Sequence, residues 1–73
     1  DLEDGEQFRV AKAALVKASG SDGGFVKMLA GRENMDDMRR DFGSRPDLQN
    51  RLQAELLFTS LTPTEAAEVL DAL

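Results

Sequence analysis

The sequence predicts an all-α fold, a compact bundle of four to five short helices. Along most of the chain, apolar residues recur at intervals of three and four, the spacing of one helical face. Glycine, proline and capping residues interrupt this pattern at several points. No segment alternates cleanly between apolar and polar residues, so no strand interpretation competes. The expected helices span about 5–19, 24–30, 34–42, 46–59 and 63–73.

The first helix should begin near Asp4 and end at Gly20. Asp4 and Gln7 have the spacing of a capping box. Gly20 accepts the left-handed conformation that ends helices, and the glycine-rich segment 20–24 favours a tight connection. The apolar face of this helix is predicted to consist of Phe8, Ala11, Leu15 and Ala18.

Two shorter helices should follow. The second ends at Gly31, and the third is capped by Asn34 and closed by Gly43. Helices of this length are marginal alone in water, so they must pack on their neighbours. Their apolar positions are Phe25, Val26, Met28 and Leu29 in the second helix, and Met35, Met38 and Phe42 in the third.

The fourth helix should start at Ser44-Arg45-Pro46-Asp47. Serine there can accept from first-turn amides, proline is tolerated where those amides are unpaired, and aspartate suits the positive helix end. The predicted buried stripe consists of Leu48, Leu52 and Leu56, widened by Leu57 and Phe58.

The strongest local signal is Thr62-Pro63-Thr64-Glu65, which combines a threonine cap, a proline at the first helical position and the glutamate of a capping box. The fifth helix then has an apolar face of Ala66, Val69, Leu70 and Leu73, flanked by Glu65, Glu68 and Asp71. Such a helix either folds back on the bundle or lies in a partner's groove, and the sequence leaves both open.

A chain of 73 residues makes one domain at most and buries only about 60% of the surface that its unfolded form exposes. It has no cysteine and no histidine, so disulfides and structural zinc are not expected to support it. Stability must come from packing or from a partner. The expected core consists of Phe8, Leu15, Phe25, Leu29, Met38, Phe42, Leu52, Leu56, Val69 and Leu70.

We expect residues 1–73 to form a single helical domain cut from a longer protein, since the chain begins at Asp1 without an initiator methionine. No apolar run approaches the roughly 20 residues that cross a bilayer, and no signal-peptide pattern opens the chain. The expectation is a soluble protein without membrane contact, with the cytoplasm favoured.

The residue types that usually carry chemistry near neutral pH are scarce. Histidine, cysteine, tryptophan and tyrosine are all absent, so a serine–histidine dyad is excluded within this chain. Asp36, Asp37 and Asp41 could serve a cation or acid–base chemistry, but the favoured interpretation is helix-dipole stabilisation, with Arg40 pairing to Asp36 or Asp37. We expect no enzyme, cofactor or metal.

Glycines 20, 23 and 24 precede an apolar helix, as in anion-binding turns. A phosphate loop also needs a preceding strand and a Gly-Lys-Ser/Thr ending, and neither is found in the sequence. A flexible turn between helices is the favoured interpretation.

Charge is distributed unevenly. Residues 52–73 carry four acidic groups and no basic one, while the chain as a whole has a net charge of −5. The middle of the chain carries a cluster of arginines that acidic neighbours interrupt: Arg32, Arg39, Arg40, Arg45 and Arg51.

These features favour a non-catalytic protein–protein interaction module, an adaptor or docking domain that binds through helical faces. The partner would be another protein, another part of the same assembly or a second copy of this chain. The predicted partner-binding residues are Ala66, Val69, Leu70, Leu73, Arg39 and Arg40. The alternative is a helical nucleic-acid-binding domain that uses Arg39, Arg40, Arg45 and Arg51, which the missing net basic face makes less favoured.

Overall fold

The structure is a computed structural model that describes residues 3–59 and 61–73, apart from the side chain of residue 4. Over these residues the regular elements are all helical, which confirms the all-α prediction. The elements are α1 (Asp4–Ser19), α2 (Gly23–Ala30), α3 (Met35–Gly43), a 3₁₀ turn (Pro46–Leu48), α4 (Gln49–Leu57) and α5 (Pro63–Ala72).

The core forms around one face of α1. This helix is the longest of the five and contacts α2, α4, α5 and the 3₁₀ turn. Ala11, Ala14 and Ala18 are buried on it, and their small side chains let the neighbouring helices approach closely. Leu15 fills the space between them and is completely buried.

Most of the predicted core is confirmed. Phe8, Phe42 and Leu70 are half-buried and pack against the core from its edge. Five further residues are buried. Leu48 belongs to the predicted stripe of the fourth helix, and three of the four alanines belong to predicted apolar faces. Ala14 was not predicted, because burying a single methyl group leaves a weak hydrophobic signal. The predicted residues found buried are Leu15, Phe25, Leu29, Met38, Leu52, Leu56 and Val69, and the additional ones are Ala11, Ala14, Ala18, Leu48 and Ala66.

Side-chain caps start three of the helices. Thr62 and Glu65 form the predicted capping box, in which the Glu65 amide donates to the Thr62 hydroxyl at 3.2 Å and the Thr62 amide donates to the Glu65 carboxylate at 3.0 Å. The second of these bonds lowers the pKa of Glu65. Asn34 caps α3 as predicted, and Asp22 caps α2 by accepting from the Phe25 amide at 3.1 Å.

The two other predicted starts agree in position, since α1 begins at Asp4 and helical backbone begins again at Pro46, but the predicted Ser44 cap is wrong. Glu3 occupies the N-cap position of α1 and makes no capping hydrogen bond, while the Asp4 side chain lies outside the described residues. Ser44 does not cap the fourth helix, because its hydroxyl donates at 2.7 Å to the Asp41 carbonyl at the end of α3. Arg45 precedes the 3₁₀ turn instead, and the α-helix begins only at Gln49.

The far end of α4 also differs from the prediction. Leu57 and Phe58 were expected to widen the buried stripe, but their side chains are 60% and 86% exposed. Leu57 lies about 100° around the helix from the buried Leu56, and α4 ends at Leu57, so neither side chain is directed at the core.

Candidate functional site

The predicted interface on α5 lies against the rest of the bundle. Ala66 and Val69 are buried in the core, where α5 contacts α1 and α4. Leu70 and Leu73 are half-buried at the edge of the same core. The helix therefore packs within its own chain. Of its apolar face, only the exposed parts of Leu70 and Leu73 are accessible to a partner. Their role in partner binding stays a prediction.

The two predicted arginines on α3 differ in their contacts. Arg39 pairs with the Asp36 carboxylate and also donates to the Ala72 carbonyl, so it ties the end of α5 to α3. Arg40 is exposed and has no ion pair among the described residues. The prediction that Arg40 pairs with Asp36 or Asp37 is wrong. Asp36 pairs with Arg39 instead, and Arg39 also donates to α5.

Arg32 lies in the loop before α3 and forms an ion pair with Asp41 of α3. Its guanidinium donates to both oxygens of the Asp41 carboxylate, at 2.7 and 3.1 Å. Asp41 is 6% exposed, so this bidentate pair provides the hydrogen bonds that a buried carboxylate requires. The hydrogen bond to Asp41 raises the pKa of Arg32.

Arg45 connects the start of α2 with the 3₁₀ turn. It makes two hydrogen bonds of 3.1 Å to Asp47, pairs with Asp22 and lies 5.0 Å from the centre of the Phe25 ring. The Phe25 amide and then Arg45 lower the pKa of Asp22, while Arg45 lowers that of Asp47. The same contacts raise the pKa of Arg45.

These pairs determine what the charged clusters can do. Asp36 and Asp41 each pair with a different arginine, and Asp37 accepts from the Asn34 side-chain amide at 3.2 Å. Across the described residues, no group of acidic side chains is arranged to hold a metal ion. Arg39 and Arg45 are likewise engaged by carboxylates. Nucleic-acid binding by the arginine cluster stays a prediction.

A shallow groove runs along the side of α1 next to its core-facing residues, where Phe8 and Val16 are half-buried against the core. We call it the α1 groove; its volume is about 560 Å³, and it is lined by Phe8, Arg9, Lys12, Ala13, Val16 and Lys17. Lys12 is fixed at one side, because its ammonium donates to the Ala30 carbonyl at 3.2 Å and to the Arg32 carbonyl at 3.0 Å. It also lies 5.6 Å from the centre of the Phe8 ring.

A second, smaller cavity continues the α1 groove toward the end of α4. Ala13 and Lys17 line both, and the continuation is closed by Val10, Ala14, Glu55, Thr59 and Leu61. Sequence periodicity missed this face because it assigned one apolar stripe to the first helix. The available signal was the second apolar set, Val10, Ala13 and Val16, interleaved with basic residues.

Leu57 and Phe58 form a second surface, which we call the α4 tip. Among the described residues they are the two most exposed large apolar side chains. The backbone beneath them is well fixed: the Phe58 amide donates to the Glu55 carbonyl at 3.1 Å, and the Thr59 hydroxyl donates to the Leu56 carbonyl at 2.7 Å.

Comparison with known proteins finds no matching family model, no similar curated protein and no similar solved structure. Within the part of the chain that the structure describes, no helix combines the length and apolar character needed to span a membrane.

Proposed function

We propose that this domain is a non-catalytic protein–protein interaction module that binds a partner through helical faces. The observation that carries the proposal is the α4 tip, where two adjacent large apolar side chains are 60% and 86% exposed. The other three phenylalanines, Phe8, Phe25 and Phe42, are buried or half-buried in the same small domain. Phe58 is thus the exception among the aromatic residues.

The α4 tip has the properties of an interface anchor. Phenylalanine is enriched in the buried centres of protein interfaces. Covering one such side chain contributes about 1.5–3 kcal/mol, which corresponds to roughly 10- to 150-fold in affinity. Because the backbone at Phe58 and Thr59 is already hydrogen-bonded, little backbone conformational entropy is lost when a partner covers the Phe58 side chain.

Site-specific photo-cross-linking tests this proposal in cells that produce the protein. A photoreactive phenylalanine analogue replaces Phe58, and the matched control carries it in place of the exposed Gln53 of the same helix. We expect a discrete cross-linked protein from position 58 that position 53 does not yield. Identical products from the two positions would contradict the proposal.

A substitution separates binding from folding. Phe58→Ser should leave the unfolding free energy within about 0.5 kcal/mol of the wild type, since exposed side chains contribute little to stability. It should also prevent co-purification of the protein captured at position 58. Retention of that protein by Phe58→Ser would show that the α4 tip is not the anchor.

A further inference from the structure

We infer that the α1 groove binds an acidic amphipathic helix of a partner protein. The inference rests on the proposed function, because it assigns a partner class to an interaction module. It uses a surface whose lining residues do not include Leu57 or Phe58, so it can be tested separately.

The floor of the groove is apolar. Phe8, Ala13 and Val16 line it, and the continuation adds Val10 and Leu61. From residue 8 to residue 17 the groove extends along α1 for about 14 Å, the length of two to three turns of a docked helix. A helix that presents apolar residues at positions i, i+3 or i+4, and i+7 covers such a floor.

The lining of the groove is basic although the chain is acidic. Arg9, Lys12 and Lys17 contribute three positive charges and no carboxylate lines this part, whereas the net charge of the chain is −5. Among the described residues, Arg9 and Lys17 have no ion pair within 4 Å. Acidic residues beside the apolar face of a partner helix would complement these cations.

One cation of the groove, Lys12, is held in place before a ligand binds. The hydrogen bonds from Lys12 to the end of α2 hold its ammonium beside Phe8. A cation fixed in this way loses less side-chain entropy on binding than a freely rotating lysine. At the other end, Glu55 lies in the continuation of the groove and limits the basic region to residues 9–17.

Two other occupants fit these observations less well. An anionic membrane extends beyond the groove and would face the acidic remainder of a chain with net charge −5, whereas a docked helix contacts only the basic lining. A second copy of this chain could offer its acidic α5, but Ala66 and Val69 of that helix are already buried in the core. A helix from a different protein meets both the apolar and the charge requirement.

The test uses two synthetic amphipathic peptides as probes. Both place leucine at i, i+3 and i+7, and the flanking positions are glutamate in one peptide and lysine in the other. Binding to the isotopically labelled 73-residue chain is followed by nuclear magnetic resonance. We expect the acidic peptide to shift the amide signals of residues 8–17, less strongly as the salt concentration rises, and the basic peptide to leave them unchanged.

Charge reversal provides the matched variants. Arg9→Glu combined with Lys17→Glu should weaken the acidic peptide at least about tenfold, since two attractive pairs become repulsive. Lys27→Glu combined with Arg51→Glu makes the same change in net charge at exposed positions outside the groove, and should stay within about twofold of the wild type. Lys12 is left unchanged because it supports the end of α2. Circular dichroism verifies that both double variants are folded.

Five results would overturn the inference. Three concern the peptides: equal binding of both, no shift at residues 8–17 with either, and undiminished binding of the acidic peptide by the Arg9→Glu, Lys17→Glu variant. The fourth is tighter binding of the chain to anionic phosphatidylserine vesicles than to the acidic peptide. The fifth is a concentration-dependent dimer that shifts the same signals, which would replace the foreign helix by a second copy. Cross-linking at position 58 does not depend on this groove, so a failure here leaves the proposed function standing.

Discussion

Single residues explain how short helices are joined in this domain. Arg45 binds Asp22, Asp47 and the face of Phe25, so one side chain connects the cap of α2 to the 3₁₀ turn. The sequence identifies Arg45 as a central cation, but its partner Asp22 is 23 positions away. Periodicity covers only neighbours within a helix, so such a contact could not be predicted.

Asp22 makes stability depend on pH. Its lowered pKa means that the folded state binds the proton less tightly than the unfolded state, so its contribution is present above about pH 3.8 and is lost below it. Asp22→Asn keeps an oxygen that caps α2 but has no charge. We expect the unfolding free energy of this variant, measured with urea between about pH 6 and about pH 3, to fall less steeply with acid.

Asp71→Asn is the matched control for this measurement, because Asp71 is exposed and has no ion pair among the described residues. It should retain the acid dependence of the wild type. Asp47 and Glu65 also have lowered pKa values, so part of the pH dependence of the unfolding free energy remains in both variants. Equal slopes for Asp22→Asn and Asp71→Asn would exclude a role for Asp22.

At the scale of elements, predictions succeeded where the signal is complete within a few residues. The Thr62–Glu65 box and the Asn34 cap are confirmed, since each is satisfied by amides three positions away. Ser44 is also a residue that commonly caps helices, but its hydroxyl donates backward to the Asp41 carbonyl, because α3 ends immediately before it. A residue between two helices can serve either one, and local sequence does not decide which.

Thr62→Ala tests the confirmed box. The change removes the acceptor of the Glu65 amide and should lower the unfolding free energy by about 1 kcal/mol. Thr64→Ala is the control, since Thr64 is exposed inside the first turn and is not the cap. Urea denaturation of both variants measures the difference, and equal stabilities would contradict the capping role.

At the scale of the whole molecule, the fold class and most of the core could be predicted, but the candidate binding surfaces could not. Leu52 and Leu56 follow the helical period and are buried as expected. The α1 groove depends on which side of α1 its neighbours leave uncovered, and Phe58 depends on where α4 ends. Both are consequences of packing between distant segments.

The size of the domain makes its stability sensitive to single core changes. A core of this size rarely supplies more than about 3–5 kcal/mol of stability. Leu52→Ala, at a fully buried position, should cost about 2–5 kcal/mol and abolish or nearly abolish the cooperative thermal transition. Leu57→Ala removes the same atoms from a side chain that is 60% exposed and should leave the transition nearly unchanged. Equal losses in the two variants would show that Leu57 is part of the core.

The exposure of Phe58 has an optical consequence. The chain contains neither tryptophan nor tyrosine, so its own fluorescence in the near ultraviolet is very weak. A tryptophan in place of Phe58 would be the sole strong emitter, and at 86% exposure it would emit as it does in water. Any molecule that covers the α4 tip would move that emission to shorter wavelengths, and the shift would report binding without a label.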